Sequence, residues 1–264
     1  MECVRHGYVA RRAPHLRHWP FMPKGLPLVL LGVSMAAAQT AGVAPARETL
    51  YYNVEWRLIT AGKVKVQWQP GPAGWQANVH VGSVGLVSKL FKVEDDYSAN
   101  LTESLCAEST QMSSQEGSRS RETKVTYDAA QQKAVYVERD RVKNVVLESK
   151  ETPIPACEHD TLGGLYFLRT LNLEPGQSVN EAVSDGKKSA MVKVEAQQRE
   201  DVKTPAGVFK TVRYEIYLFN GVLYKRPAHL NVWLTDDRRK LPVQIRVRMS
   251  IAVGTINLLL EKLE

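Results

Sequence analysis

Apolar and polar residues alternate with period two along most of this chain, and the clearest stretch is Leu230 to Met249. Val232 and Leu234 alternate with Asn231, Trp233 and Thr235. Beyond Asp236-Asp237-Arg238-Arg239-Lys240, the apolar Val243, Ile245, Val247 and Met249 alternate with Gln244, Arg246 and Arg248. Alternation on both sides of a polar turn predicts a β-hairpin, since successive strand side chains point to opposite faces. Pro242 stands at the start of the second strand, where no interior ladder bond is lost. The same pattern predicts strands over Thr49–Ile59, Lys63–Gln69 and Trp75–Val81, with the first two meeting at Ala61-Gly62 and the last two at Pro70-Gly71-Pro72-Ala73-Gly74. Further strands are expected over 93–101, 106–116, 121–127, 133–139 and 145–148, and then from Val179 to Leu263 with breaks at 184–186, 204–207, 220–221 and 235–240.

Period 3.6 is rarer. Asp160 to Leu171 is the convincing helix: Asp160 or Thr161 can cap its unpaired N–H groups, and Leu162, Leu165, Tyr166, Leu168 and Leu171 form an apolar stripe. Gly163-Gly164 weakens an isolated helix by about 1 kcal/mol per residue, which points to close packing against a sheet. Val84–Phe91 has the spacing of a second, shorter helix. So many antiparallel strands in one flat sheet would expose long edges. The expected fold is therefore mainly β, a large, strongly curved antiparallel sheet or partly closed barrel with one short helix packed against it.

The first 38 residues stand apart. Gly25–Ala38 is apolar but shorter than the roughly 20 residues of a membrane span. With Lys24 before it and Ala36-Ala37-Ala38 at its end, it has the form of a signal peptide, with Met1–Phe21 as an upstream extension. Residues 39–264 are then expected as a single β domain in the periplasm or secreted, with no transmembrane segment once the leader is removed. The formal charge of +7 shrinks to +3 without the leader, which leaves 30 basic residues against 27 acidic ones. A basic balance that resides mostly in a leader is no argument for nucleic acid. No lipobox cysteine ends the apolar stretch. Cys106 and Cys157 remain; an exported chain permits them to pair, worth about 4 kcal/mol on the chain-entropy model, while two unpaired buried thiols are the other reading.

Candidate chemistry is sparse. No Cys-x-x-Cys, Gly-x-Ser-x-Gly, His-Glu-x-x-His or phosphate-binding glycine loop occurs, and His80, His159 and His229 are widely spaced. No cofactor or metal is expected. His159-Asp160 is a tempting pair, but adjacent residues are poorly placed to hydrogen-bond each other and Asp160 is needed as a cap. Glu94-Asp95-Asp96 lies on a strand that sends neighbours to opposite faces. The aromatic set Tyr52, Trp56, Trp68, Trp75, Tyr214, Tyr217, Phe219, Tyr224 and Trp233 falls on predicted strands. On a concave face such side chains either fill the core or line a cavity for an apolar ligand. The ligand-binding candidates are Tyr52, Trp56, Trp68 and Trp233, with Arg169 available to a carboxylate or phosphate.

Four stretches carry a family resemblance: Tyr51–Ile59 followed by Ala61-Gly62, Asp160–Gly176, Val202–Phe209 (VKTPAGVF) and Val232–Leu260 (VWLTDDRRKLPV onward). In this order they resemble the secreted bacterial proteins of domain of unknown function 3108, over nearly all of the chain after the leader. The resemblance implies an antiparallel, strongly curved β architecture like the half-barrels of lipoprotein carriers, and no agreed activity. The expectation is an exported non-enzymatic β domain that binds an apolar or amphipathic small molecule or an envelope protein. An envelope enzyme, hydrolase-like, with a site scattered through the sequence is the alternative.

Overall fold

The computed structural model describes residues 45–250 and 254–264. The leader expectation and the cleavage position near Gln39 lie outside them. The first meander comprises β1 (Glu48–Trp56), β2 (Ile59–Gly71), β3 (Gly74–Ser83), β4 (Val93–Thr102), β5 (Ala107–Glu116), β6 (Arg119–Asp128), β7 (Lys133–Asp140) and β8 (Val145–Pro153). A short helix α1 (Gly85–Leu90) links β3 to β4, and α2 (Thr161–Thr170) follows β8. The second meander is β9 (Ser178–Ser184), β10 (Ser189–Thr204), β11 (Gly207–Ile216), β12 (Ala228–Thr235), β13 (Pro242–Met249) and β14 (Thr255–Leu263).

All the strands join one antiparallel sheet in the order β8-β7-β6-β5-β4-β3-β2-β1-β14-β13-β12-β11-β10-β9. The two meanders meet where β1 pairs with β14, Leu50 opposite Leu263 and Trp56 opposite Ile256. Register shifts at Tyr51/Tyr52, Val54/Glu55, Asn100/Leu101, Glu138/Arg139, Ala196/Gln198 and Trp233/Leu234 are spread over the sheet. Each such irregularity adds local twist, and together they curl a sheet that would otherwise run flat.

No ladder joins β8 to β9 among the described residues, so the sheet is curled but not closed. Other contacts span the seam. The β9–β10 turn leans on β6–β8, where Thr152 Oγ1 donates to Gly186 O (3.0 Å) and Lys187 Nζ reaches Glu148 (2.7 Å) and Glu138 (3.5 Å). Gly186 has φ +86°, and a Cβ there would lie 2.6 Å from Val125, so this turn demands glycine. Farther along, residues 157–160 thread between the halves: Ala107 N donates to Glu158 O, and His159 bonds Ala182 and Ser184 of β9. Cys157 in this segment is bonded to Cys106, with their Cα atoms 5.1 Å apart. Mass spectrometry of non-reduced protein from its native compartment is expected to show a mass two hydrogens below the reduced form; two freely alkylated thiols would exclude the bridge.

Helix α2 lies inside the curl rather than on its flank. Asp160 caps it, accepting from Leu162 N (3.1 Å) and Gly163 N (2.9 Å), and also takes the Tyr97 hydroxyl (2.6 Å). A Cβ on Gly163 would sit 3.1 Å from Leu105 O and 3.2 Å from a Leu101 methyl, the close approach expected from the glycine pair. One side of the helix packs through Tyr166 into a core with Trp68, Leu101, Tyr127 and Tyr136 from the first meander. Its other side packs through Leu168 against Val194, Tyr214, Val232 and Leu234 from the second. Burying one helix against both halves supplies the apolar contact that holds a curled, unclosed sheet together.

The strands fall close to their expected positions, including the hairpin of β12 and β13 with Val232 opposite Ile245. The Ala61-Gly62 junction is different. The β1–β2 turn is Arg57-Leu58, with φ of 50° and 66°, and β2 begins at Ile59. Gly62 lies inside that strand, where a Cβ would meet Gly82 O at 2.8 Å; its glycine serves strand approach rather than a turn.

Candidate functional site

Above α2 the curl encloses a cavity of about 490 Å³. Its floor is the helix face of Leu162, Leu165, Tyr166 and Leu168, and its walls are inward-facing residues of both meanders, among them Leu50, Val64, Val125, Val192 and Val232. Aliphatic side chains dominate because every second residue of a strand faces inward and the alternation places Val, Leu and Ile there. The inward positions lose burial in one direction along the strands. Leu50 and Tyr52 of β1, Ala77 of β3 and Thr110 of β5 are buried, whereas Val54, Val79, Val81 and Met112 are half-buried. The cavity therefore opens toward the edge that carries the β1–β2, β5–β6 and β7–β8 turns and α1.

Few polar groups reach it. The Tyr52 hydroxyl is turned away to Pro242 O (2.7 Å), and burial holds this phenol above its usual range. Glu181 lines the wall beside Ser184 and Asp185, its carboxyl raised by burial. His159 lies 3.8 Å from Glu181 and places Nδ1 2.8 Å from Leu105 O; burial lowers its pKa and favours the neutral ring. Glu158 faces Ser189 instead, and its carboxyl is pushed up to about 7 by burial. Asp160 is fully engaged as cap and Tyr97 acceptor, so the His159-Asp160 pair forms no catalytic dyad.

Of the candidates read from the sequence, Tyr52 lines the cavity, and Trp56, Trp68, Arg169 and Trp233 do not. Trp68 is fully buried beneath the floor, stacked on Tyr166 (ring centroids 3.7 Å) and on Trp75 (5.3 Å). Trp56 is half-buried at the end of β1 with the Arg57 guanidinium 4.9 Å over its ring. Trp233 points away from the cavity, opposite in phase to Val232. The sheet is covered on that side too: Trp233 shares a buried cluster with Val202, Leu241 and Val243, and its Nε1 donates to Glu200 Oε1 (2.8 Å). Arg169 does not line the cavity. It is buried and paired with Glu48, through Nη1 to Oε1 and Nη2 to Oε2 (3.0 Å), while Tyr166 OH donates to the same carboxylate (2.7 Å).

The strand carboxylates separate as expected. Glu94 and Asp96 flank His80 on the outer face (3.5 and 2.8 Å), while Asp95 turns aside to accept from Gln115 N. Among the described residues no three His, Cys, Asp or Glu side chains gather as a metal site. The aliphatic liners were not singled out by residue type, since inward alternation looks the same whether it meets a helix or a void.

No curated protein matches the chain. Among solved structures, a beta-barrel-like protein of domain of unknown function DUF1849 from Brucella abortus shares the fold, with a TM-score of 0.55 at 9% identity over 84% of this chain and 98% of that one. A candidate exported protein with a YmcC-like fold from Bacteroides fragilis matches at a TM-score of 0.37 and 11% identity, over 85% of this chain and 99% of that one. A DUF1089 family protein from Pseudomonas aeruginosa gives 0.37 and 12%, over 71% and 90%. No helix among the described residues is long and apolar enough to cross a membrane. Residues 51–261 match the model of the family described as "Protein of unknown function (DUF3108)", and the chain belongs to that family.

Proposed function

We propose that this chain is an exported, non-enzymatic binding protein that holds one apolar or amphipathic molecule of the cell envelope in the cavity above α2. The observation that carries the reading is the cavity itself, about 490 Å³ and walled by aliphatic side chains. That volume lies in the range of small-molecule sites, and apolar walls with a few polar groups at one side suit a ligand with a long apolar part. Burial of that apolar part drives binding; Glu181 on the wall is placed to hydrogen-bond a polar end. Against the enzyme alternative, Asp160 is committed as a helix cap, and the one carboxylate that holds a serine hydroxyl nearby, Glu158 with Ser189, is not among the residues that line the cavity.

Val79 lines the cavity near its mouth and is half-buried, so a larger side chain there occupies ligand space without overpacking the sealed core. Val79→Trp is expected to cut uptake of an apolar fluorescent reporter by about tenfold or more, a loss of about 1.4 kcal/mol of binding free energy, while the urea midpoint moves little. Titration of both proteins with the reporter, and mass spectrometry of whatever co-purifies, check it. Equal uptake by the variant, with nothing bound to the purified protein, would sink the reading.

A further inference from the structure

The edge onto which the cavity opens has a surface unlike the rest of the molecule. The first meander places four connections there: residues 57–60 (Trp56 opposite Ile59), 85–92 through α1 (Gly82 opposite Glu94), 117–119 (Glu116 opposite Arg119) and 141–147 (Asp140 opposite Val145); the second meander adds residues 185–188 and 217–227. Among the described residues thirteen large apolar side chains are exposed, and nine of them belong to the first meander's four connections. Leu58 is 100% exposed, Leu90 78% and Val142 73%. Ile59, Leu86, Phe91 and the Val145–Leu147 run complete the set. Folding gains nothing from leaving such groups in water at turn tips, and an exposed apolar patch of this extent marks an interaction site.

The charges in the same four connections are of one sign. They hold Arg57, Lys89, Lys92, Arg119, Arg141 and Lys143, and no Asp or Glu. Acidic side chains stand only at the strand ends beside them: Lys92 lies 3.6 Å from Glu94, Arg119 3.8 Å from Glu116, and Asp140 accepts from Lys143 N (2.8 Å), exposed contacts that water largely screens. Connections at the opposite edge differ, with Glu103, Glu174, Asp236 and Asp237 among them. Apolar tips interleaved with cations complement a surface that is anionic outside and hydrocarbon within. A protein partner would need an acidic rim matched to four separate turns, whereas a lipid surface presents both properties everywhere.

We infer that this rim docks the cavity mouth on the surface of an anionic phospholipid bilayer, with Leu58, Leu90, Phe91 and Val142 entering the headgroup layer and the basic side chains meeting lipid phosphates. The inference rests on the binding role proposed above and adds where the ligand enters: the mouth faces the lipid phase, so an apolar molecule passes between bilayer and cavity without crossing water.

The test is co-sedimentation of the purified protein with phosphatidylcholine vesicles, with and without phosphatidylglycerol. The protein is expected to sediment with the anionic vesicles, less with neutral ones, and less as salt rises and shortens the reach of the charges. Leu58→Asp with Leu90→Asp, and separately Lys89→Glu with Lys143→Glu, should each weaken vesicle binding by about tenfold or more. Lys203→Glu with Lys210→Glu, exposed positions away from the rim, should leave it unchanged. Reporter uptake in vesicle-free solution should be the same in all variants, which verifies their fold. Failure of the wild type to sediment, rim variants that sediment like it, or an equal loss in the control pair would each overturn the inference. Vesicle binding that persists in a protein unable to take up the reporter would instead remove the cavity reading and leave the rim standing.

Discussion

Arg169→Ala is expected to destabilise the protein by about 3 to 5 kcal/mol, out of the roughly 5 to 15 that a domain of this kind possesses. The reason lies in what remains. Glu48 is buried beside β2, and its carboxylate is satisfied by Arg169 and by the Tyr166 hydroxyl. With the guanidinium gone, one phenolic hydrogen bond faces a buried negative charge, and Arg239 O also loses its donor at 3.2 Å. Removing both charges at once is different. Glu48→Leu with Arg169→Met takes away the desolvation cost along with the attraction, and should lie much nearer the wild type than the single variant. Urea unfolding of the three proteins decides the matter: a single variant within about 1 kcal/mol of wild type would show that the pair is not what ties α2 to β1.

Trp233→Ala is the second large effect, expected at about 3 to 5 kcal/mol with reporter uptake by the folded fraction unchanged. Trp233 is 3% exposed, its indole N–H is committed to Glu200, and the Arg246 guanidinium lies 4.9 Å over its ring. All of these contacts are on the side of the sheet away from the cavity, so the substitution removes support without touching the ligand space. Combining the unfolding midpoint with the binding titration separates support from recognition. A weakened titration at an unchanged midpoint would return Trp233 to the ligand face.

The alternation from Leu230 to Met249 was sufficient to give the β12–β13 hairpin, and Asp160 with Gly163-Gly164 was sufficient to give a capped helix in close contact with its surroundings. Period and capping are local, and local signals survive in sequence. Three features were not local. The Arg57-Leu58 turn places two non-glycine residues at positive φ, which residue preference does not favour. The partnership of Arg169 with Glu48 spans 121 positions, and nothing near either residue announces the other. Trp233 is covered because β10 is irregular at Ala196/Gln198 and its far half lies over the outer face; alternation assigns the tryptophan a face but not what covers that face. The cavity was the least legible, since its walls are the same valines and leucines that a filled core would use.

The pairing of β1 with β14 at the middle of the sheet bears on how the fold is reached. Most neighbouring strands are also neighbours in sequence and can zip as local hairpins, but this ladder brings together residues as far apart as Tyr51 and Glu264, 213 positions along the chain. Closing a loop of that length is entropically costly before any contact repays it, so this ladder is a slow step and a late one. Until β14 arrives, β1 and β13 are both unpaired edges, each bearing apolar residues such as Leu50, Tyr52 and Ile245 that the finished sheet buries or half-buries. An unfinished chain is thus a pair of sticky half-sheets, and its vulnerability to aggregation is concentrated at the one ladder that only the last strand can complete.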